Sequence, residues 1–316
     1  MLMTTENTDL AVRLPNPKSI WPRRQLQQVE LDYDPSLRTL WTYMNPTGVP
    51  CFNQDMLEEL HYGANELQRH QGKHIHEDEW VPVDFSVIAS RRPGIFNLGG
   101  DLRLFLNLIR ERDREGLLNY AMYCVDSLFT RITGYDSSII TISLVQGDAL
   151  GGGMELALAS DIIVAEAGSR MGLPEILFNL CPGMGAYSFL ARRIGLHKTE
   201  RLLLSGNIHT AEEFADLGIV DVIAPRGEGE RVVRELIQKR RRHLNGARSI
   251  YGWRQHTWPV THQELTDIAV SWVDAALLIE EKDMKMMDRL LTAQCAQHGQ
   301  GHNARVQSNL DALLAA

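Results

Sequence analysis

Two glutamates and a cluster of three glycines lie close together near the middle of the chain. Gly151, Gly152 and Gly153 follow the apolar segment 139–145 and precede MELALAS, a sequence of helical composition. A glycine cluster between a strand and a helix lets the backbone approach a ligand closely, and the first N–H groups of the helix then point toward it. Such donors favour an oxygen atom that is gaining negative charge.

Glu155 belongs to the first turn of this predicted helix, and Glu175 follows 20 residues later in GLPEILF, after a second apolar strand over residues 162–165. Carboxyl groups on two neighbouring strand–helix junctions can face one another across a small-molecule site, as acid–base chemistry requires. The spacing alone leaves a second interpretation open: a glycine turn without a ligand, followed by a glutamate that complements the helix dipole.

A weaker form of the pattern precedes this region. In IFNLGGDLRLFLNLI, Gly99 and Gly100 stand between a short strand and a helix predicted to begin at about Asp101.

The string VQGDALGGGMELALASDIIVAEAGSRMGLPEILFNLCPGMGA closely resembles the signature of the crotonase (enoyl-CoA hydratase/isomerase) superfamily, and the resemblance covers roughly residues 31–238. It implies an α/β crotonase (ClpP/crotonase-like) fold of repeated ββα units with a C-terminal helical region.

The resemblance also implies a site. The superfamily stabilises an enolate or another oxyanion of an acyl thioester with two backbone N–H groups, which fall here on Gly100 and Gly152. Its two catalytic carboxyl groups fall on Glu155 and Glu175, and members with both act as hydratases or dehydratases. For dehydration of a 3-hydroxyacyl thioester, we assign Glu175 to C2 and Glu155 to the departing hydroxyl or water; the reverse assignment stays open.

Several segments differ from ordinary hydratases. YMNPTGVPCFNQDM lacks their arginine, HQGKHIHEDEWVPVDF looks like an insertion, and PGMGAYSFLARRIG replaces a typical hydratase motif. The segments MNP, SRRPGIFNLGGDL and GDALGGGMELALASDIIVAE together resemble the diffusible signal factor (DSF) synthases of the RpfF type. That resemblance implies dehydration of a 3-hydroxyacyl-acyl-carrier protein (ACP) and thioester hydrolysis to a free cis-2-unsaturated fatty acid, a quorum-sensing signal. The alternatives are an ordinary enoyl-CoA hydratase/isomerase of fatty-acid metabolism and a non-catalytic crotonase-fold partner of a sensor kinase.

Apolar residues recur at helical spacing over 265–279 and 284–291, so each predicted helix must bury one face. In the superfamily the C-terminal helices cover the acyl end of the site, often in a neighbouring subunit. We therefore expect an acyl-chain tunnel and a homo-trimer or hexamer, with ordinary core packing as the alternative for the tunnel residues. The expected lining residues are Leu150, Met184, Trp272 and Leu290.

We divide the chain into four segments: a flexible N-terminal segment over 1–25, a crotonase core over 26–250, a C-terminal helical region over 251–298 that covers the acyl site and the trimer contact, and a flexible tail over 299–316. Local signals within them predict a hairpin around Asp34-Pro35, a helix capped by Asn53, and capping boxes beginning at Thr210 and Thr261.

Composition excludes some classes of function. A net charge of −8 argues against binding to nucleic acid or an anionic membrane, and the sequence lacks both a run of 18 apolar residues and a secretory signal pattern. We interpret His70, His74 and His76 as incidental residues of a polar loop and expect neither a metal nor a cofactor. The expectation is a cytoplasmic enzyme for acyl-CoA or acyl-ACP; the DSF-synthase resemblance adds a sensor kinase receiver domain as a partner.

Overall fold

The computed structural model describes residues 25–300. Within them, the strands form two sheets and a separate hairpin. Neighbouring strands of the first sheet are, in order, β1 (Val29–Asp34), β2 (Thr39–Met44), β5 (Phe85–Ser90), β7 (Ile140–Val145), β9 (Ile162–Glu166) and β12 (Val222–Ala224). Those of the second sheet are β11 (Ile208–Thr210), β10 (Arg170–Gly172), β8 (Gly147–Leu150) and β6 (Gly94–Asn97). The hairpin consists of β3 (Lys73–His76) and β4 (Glu79–Pro82).

Helices cover and connect the sheets. In chain order they are α1 (Gln54–Arg69), α2 (Leu102–Glu111), α3 (Arg114–Ile132), α4 (Gly152–Leu158), α5 (Ala186–Ile194), α6 (Leu196–Ser205), α7 (Ala211–Asp216), α8 (Gly229–Arg241), α9 (Leu244–Gly252), α10 (Arg254–Thr257), α11 (His262–Ala276) and α12 (Glu281–Gln300). The second predicted glutamate lies in a short 3₁₀ helix, Glu175–Phe178, rather than in an α-helix.

From β5 to β10, consecutive strands alternate between the two sheets. In each of the pairs β5–β6, β7–β8 and β9–β10, the first strand lies in the first sheet and the second strand lies in the second sheet. The helices that follow these pairs are α2, α4 and the 3₁₀ helix, respectively. Strands β6, β8 and β10 are parallel neighbours, so their carboxyl ends meet at one edge of the second sheet. These strands end at residues 97, 150 and 172, and the two glycine turns and the glutamate turn follow directly. The three turns therefore lie close together.

Strand β7 shows why the middle of the chain is so apolar. Every residue from Ile140 to Val145 is buried, because the strand has neighbours on both sides and hydrophobic clusters on both faces. One cluster includes α3 and α4; the other includes residues of α8 and α9. A strand buried on both faces reads as a continuous apolar run, which is the signal that predicted it.

Several local predictions are confirmed. Strands β1 and β2 pair antiparallel around the Asp34 turn, and the Asn53 side chain accepts a hydrogen bond from the Met56 amide at the start of α1. The capping box at Thr210 is complete. At Thr261 only half of the predicted box forms, because the Glu264 carboxylate binds Arg192 and Ser188 instead.

The polar-loop prediction for the three histidines is wrong in part. His74 and His76 lie in β3, which pairs with β4 through a two-residue turn, Glu77-Asp78. Both turn residues have positive φ, 49° and 63°, as the favoured two-residue hairpin turns require. Glu-Asp lacks the Asn-Gly or Asp-Gly signature of such turns, so composition indicated a loop.

The C-terminal helices pack against the core partly through exposed ion pairs. Arg114 lies 2.9 Å from Asp274 of α11, and Arg110 lies 3.0 Å from Asp288 of α12. Among the described residues, no helix combines the length and apolarity needed to cross a bilayer. The division at residue 250 stays a prediction, and the flexible segments 1–25 and 299–316 fall outside the described residues except for residues 25, 299 and 300.

Close packing of α4 on β6 generates a stability prediction. A Cβ on Gly153 would lie 2.2 Å from the Asn97 carbonyl oxygen, whereas a Cβ on Gly63, inside α1, would meet nothing within 4 Å. We expect Gly153→Ala to lower the free energy of unfolding by about 1–3 kcal/mol and Gly63→Ala to raise it by about 0.5–1 kcal/mol. Denaturant titration measures both, and equal effects would contradict the contact.

Candidate active site

The two glycine turns are in contact at the carboxyl ends of β6 and β8. The Gly99 carbonyl accepts a hydrogen bond from the Phe52 amide at 2.8 Å, and the Gly99 amide donates to Asn97 Oδ1 at 2.8 Å. A Cβ built on Gly152 would lie 3.5 Å from the Gly100 amide nitrogen. The amides of Gly100 and Gly152, predicted as a donor pair, are therefore close neighbours.

Local geometry requires glycine in these turns. Gly99 and Gly151 have φ values of 97° and 51°, which disfavour any residue with a side chain. At position 100 glycine is required for a different reason, because a Cβ there would lie 2.5 Å from the Phe105 ring. Gly152 is the first residue of α4, where an N–H has no acceptor within the helix.

Glu155 is buried in α4, with 1% of its surface exposed. Its Oε1 accepts hydrogen bonds from the Met184 amide at 2.8 Å and the Ala186 amide at 3.0 Å. Burial raises the pKa of this carboxyl group to about 7, while the backbone N–H groups partly oppose that rise by stabilising the charged form.

Glu175 begins the 3₁₀ helix after Pro174, at the end of β10. The residue is partly exposed, but its Oε2 atom is enclosed and has no hydrogen-bond partner among the described residues. Oε1 lies 2.7 Å from where a Cβ of Gly151 would be, so the carboxyl group lies against the glycine turn. Burial and then the charge of Glu155 raise the pKa of Glu175 to about 8.

One cavity of about 60 Å³ is lined by all eight residues that the sequence nominated. They are Gly100, Leu150, Gly152, Glu155, Glu175, Met184, Trp272 and Leu290. The site therefore combines an apolar lining from β8, α11 and α12 with two N–H donors and two carboxyl groups.

Sequence reasoning missed other lining residues, among them Phe105, Phe178, Cys181 and Gln294. Phe105 packs edge-to-face on Trp272, with ring centroids 5.1 Å apart. Gln294 follows Leu290 by four residues on α12, so helical spacing placed it on the same face. Its polarity, rather than its position, excluded it from the apolar stripe.

Two neighbouring carboxyl groups whose pKa values are about 7 and about 8 share one proton near neutral pH. The pair can therefore accept one proton and donate another in the same cavity. Among the described residues, no group of three His, Cys, Asp or Glu side chains could hold a metal ion.

A family comparison agrees with this geometry. The sequence profile described as enoyl-CoA hydratase/isomerase matches residues 45–256, about two thirds of the chain. The structure of Pseudomonas aeruginosa DspI superposes with a TM-score of 0.63 and 23% identity, over 81% of this chain and 98% of DspI. At that identity the similarity shows the fold alone. The predicted fold class, an α/β crotonase fold with C-terminal helices, is confirmed.

Two curated proteins are similar in sequence. The chain is 29% identical over 196 residues to "Probable enoyl-CoA hydratase 2, mitochondrial" of Arabidopsis thaliana, covering 61% of this chain and 59% of that protein. It is 31% identical over 172 residues to "2,3-dehydroadipyl-CoA hydratase" of Escherichia coli (strain K12), covering 54% and 64%, respectively. The chain thus spans less than two thirds of the length of either relative.

The raised pKa values predict how stability depends on pH. Both carboxyl groups bind a proton more tightly in the folded than in the unfolded chain, so the free energy of unfolding should fall as pH rises from about 4.5 to about 8. Glu155→Gln and Glu175→Gln should each reduce this fall, by roughly 3–4 kcal/mol at most. Denaturant titrations at pH 5 and pH 8.5 measure the difference.

Glu213→Gln provides the control. Its exposed carboxylate accepts a hydrogen bond from the Thr210 amide, which lowers its pKa. Its effect on the free energy of unfolding should therefore be the same at both pH values. Equal pH dependence in the wild type and in both site variants would contradict the burial of the two carboxyl groups.

Proposed function

The chain belongs to the enoyl-CoA hydratase/isomerase family, and from that premise we propose that it binds an acyl thioester with the carbonyl oxygen between the amides of Gly100 and Gly152. The observation behind the proposal is that Gly100, Gly152, Glu155 and Glu175 all line one cavity. When a proton leaves C2, negative charge collects on that oxygen. Preorganised N–H donors stabilise it, each by about 2.7–4 kcal/mol.

The glutamates transfer the protons. In dehydration, a base removes the C2 proton, the C2–C3 double bond forms, the C3–O bond breaks, and an acid protonates the departing hydroxyl to give water. We propose Glu175 as the base and Glu155 as the acid in this direction. Addition of water uses the reverse: Glu155 removes a proton from water, and Glu175 protonates C2.

The protonation state of the pair decides which direction of the reaction can begin. Water addition begins from ionised Glu155 and protonated Glu175, and dehydration begins from the opposite form. Burial raises the pKa of both carboxyl groups toward neutrality, so both forms are accessible and the pair supports both directions.

The finer proposal is that the protein is a DSF synthase, acting on 3-hydroxyacyl-ACP in the cytoplasm and releasing a free cis-2-unsaturated fatty acid. Support comes from the segments that resemble the RpfF type, which are MNP, SRRPGIFNLGGDL and GDALGGGMELALASDIIVAE. After dehydration, water attacks the thioester carbonyl, the C–S bond breaks, and the carrier thiol takes a proton. The same N–H pair stabilises the tetrahedral oxyanion of this step.

The acyl chain extends along Leu150, Met184, Trp272 and Leu290 in this proposal. The present cavity of about 60 Å³ is far smaller than typical ligand pockets of roughly 300–1,000 Å³, so α11 and α12 must shift when a long chain binds. The ion pairs Arg114–Asp274 and Arg110–Asp288 are half exposed, and such pairs typically contribute about 0–1 kcal/mol. They are weak enough to allow the shift.

We propose that copies of the chain associate, as a trimer or hexamer. Large apolar side chains exposed in this single chain support association: Leu204, Ile250, Trp253, Trp258 and Leu278. A carrier protein and a sensor kinase receiver domain are the further proposed partners, on the resemblance alone.

The second candidate is an ordinary hydratase that acts on enoyl-CoA in fatty-acid metabolism. Both curated relatives described above bear hydratase names, and that favours it. The two candidates share the same catalytic groups and differ in carrier, double-bond geometry and release of the acid.

Glu155→Gln and Glu175→Gln test the shared chemistry. Each amide keeps the shape of the side chain but cannot exchange the proton, so we expect the rate of thioester dehydration or hydration to fall at least 100-fold. Initial rates with 3-hydroxydodecanoyl-CoA and trans-2-dodecenoyl-CoA measure the loss. A near-normal rate in either variant would exclude the two-carboxyl mechanism.

A product assay separates the candidates. Purified protein is mixed with 3-hydroxydodecanoyl-carrier protein, and mass spectrometry follows free and bound acyl species. We expect free cis-2-dodecenoic acid, because one oxyanion pair stabilises both steps. Conversion between 3-hydroxyacyl and trans-2-enoyl thioesters without free acid would identify an ordinary hydratase, and no turnover would identify a non-catalytic partner. The Glu155→Gln/Glu175→Gln double variant controls for spontaneous hydrolysis.

A further inference from the structure

Gln294 is a buried polar residue among the apolar side chains of the cavity. It lies on α12, and 7% of its surface is exposed. Its Nε2 donates a hydrogen bond to the Leu98 carbonyl at 3.2 Å, whereas Oε1 is enclosed and has no partner among the described residues. The residue lines the same cavity as both glutamates.

The hydrogen bond to Leu98 fixes the orientation of the amide. A carbonyl oxygen only accepts, so the nitrogen must face it, and the remaining atom is the oxygen. The Leu98 amide donates to the Pro50 carbonyl at 2.8 Å, which holds this part of the chain in place. Leu98 also precedes Gly100 by two residues. Gln294 thus provides an acceptor close to the proposed oxyanion end.

An acceptor requires a donor on the ligand. The thioester carbonyl cannot supply one, since it only accepts, and a saturated or 2-enoyl chain has no N–H or O–H group. A hydroxyl on the acyl chain is the donor available within the acyl part of the substrate. C3 lies only two bonds beyond the carbonyl carbon, so in a cavity of about 60 Å³ its hydroxyl falls within the same polar region.

We propose that Gln294 is a specificity-determining residue whose Oε1 accepts a hydrogen bond from the C3 hydroxyl of the bound acyl thioester. It thereby selects 3-hydroxyacyl thioesters over chains without the hydroxyl, which leave a buried acceptor unpartnered. The inference rests on the proposed thioester chemistry and adds the substrate class. By the usual cost of such an unpartnered acceptor, the preference should be about tenfold or more.

The kcat/KM values for dehydration and for hydration cannot test this preference, because the equilibrium constant of the reaction fixes their ratio. We therefore propose two competing inhibitors, 2,2-difluoro-3-hydroxydodecanoyl-CoA and 2,2-difluorododecanoyl-CoA. Neither has a C2 proton to lose, and they differ only in the hydroxyl. Their inhibition constants are measured from initial rates of 3-hydroxydodecanoyl-carrier protein turnover.

For the wild type we expect the hydroxylated inhibitor to bind about tenfold more tightly. Gln294→Met keeps the length of the side chain but removes the acceptor, so the two constants should become nearly equal while turnover continues. Leu291→Met is the control: it changes a partly buried apolar residue of α12 that is not among the cavity-lining residues, and it should preserve the tenfold ratio. Thermal melting confirms that both variants fold.

Two outcomes would overturn the proposal. If the wild type binds both inhibitors equally, Gln294 does not recognise the hydroxyl. If Gln294→Met weakens both inhibitors by the same factor, Oε1 binds a donor on the pantetheine arm, which they share. Failure of the proposed function looks different, since the wild type would then release no free cis-2-dodecenoic acid from 3-hydroxydodecanoyl-carrier protein.

Discussion

Parallel pairing of β6, β8 and β10 is the constraint on which the candidate site depends. Each strand crosses from the first sheet, and each ends in a turn at the same edge of the second sheet. The turns contribute different groups: the Gly100 amide, the Gly152 amide with Glu155 one turn later, and Glu175. Residues spread over 75 positions of sequence therefore meet without any long loop. A change in strand register would separate them.

Burial of two carboxyl groups is energetically unfavourable, and the structure offsets only part of its cost. Glu155 receives backbone N–H groups from the turn before α5, whereas Oε2 of Glu175 has no partner among the described residues. An unpartnered buried oxygen destabilises the fold by about 1–3 kcal/mol. Such a cost is expected where function requires a poised proton rather than a stable ion pair.

Much of the site could be predicted because its backbone signals are local. Gly99 and Gly151 have positive φ, and glycine is the residue that such turns require, so the chain itself marks both junctions. Gln294 could not be found in this way. Its importance comes from a hydrogen bond to Leu98, 196 residues earlier, and no local pattern encodes that contact. The β3–β4 hairpin was missed although its turn is local, because the Glu-Asp turn adopts positive φ without the residues that usually indicate such a turn.

The C-terminal helices have two requirements that oppose one another. They must enclose the cavity tightly, because N–H donors and raised carboxyl pKa values both depend on excluding water. In the proposed function they must also make room for an acyl chain, which the present cavity cannot hold. Apolar contacts such as Trp272 against Phe105 are non-directional and can form again around a chain, whereas the Gln294–Leu98 hydrogen bond has a defined geometry. A shift of α12 that preserves this bond would widen the apolar end of the cavity and leave the polar end in place.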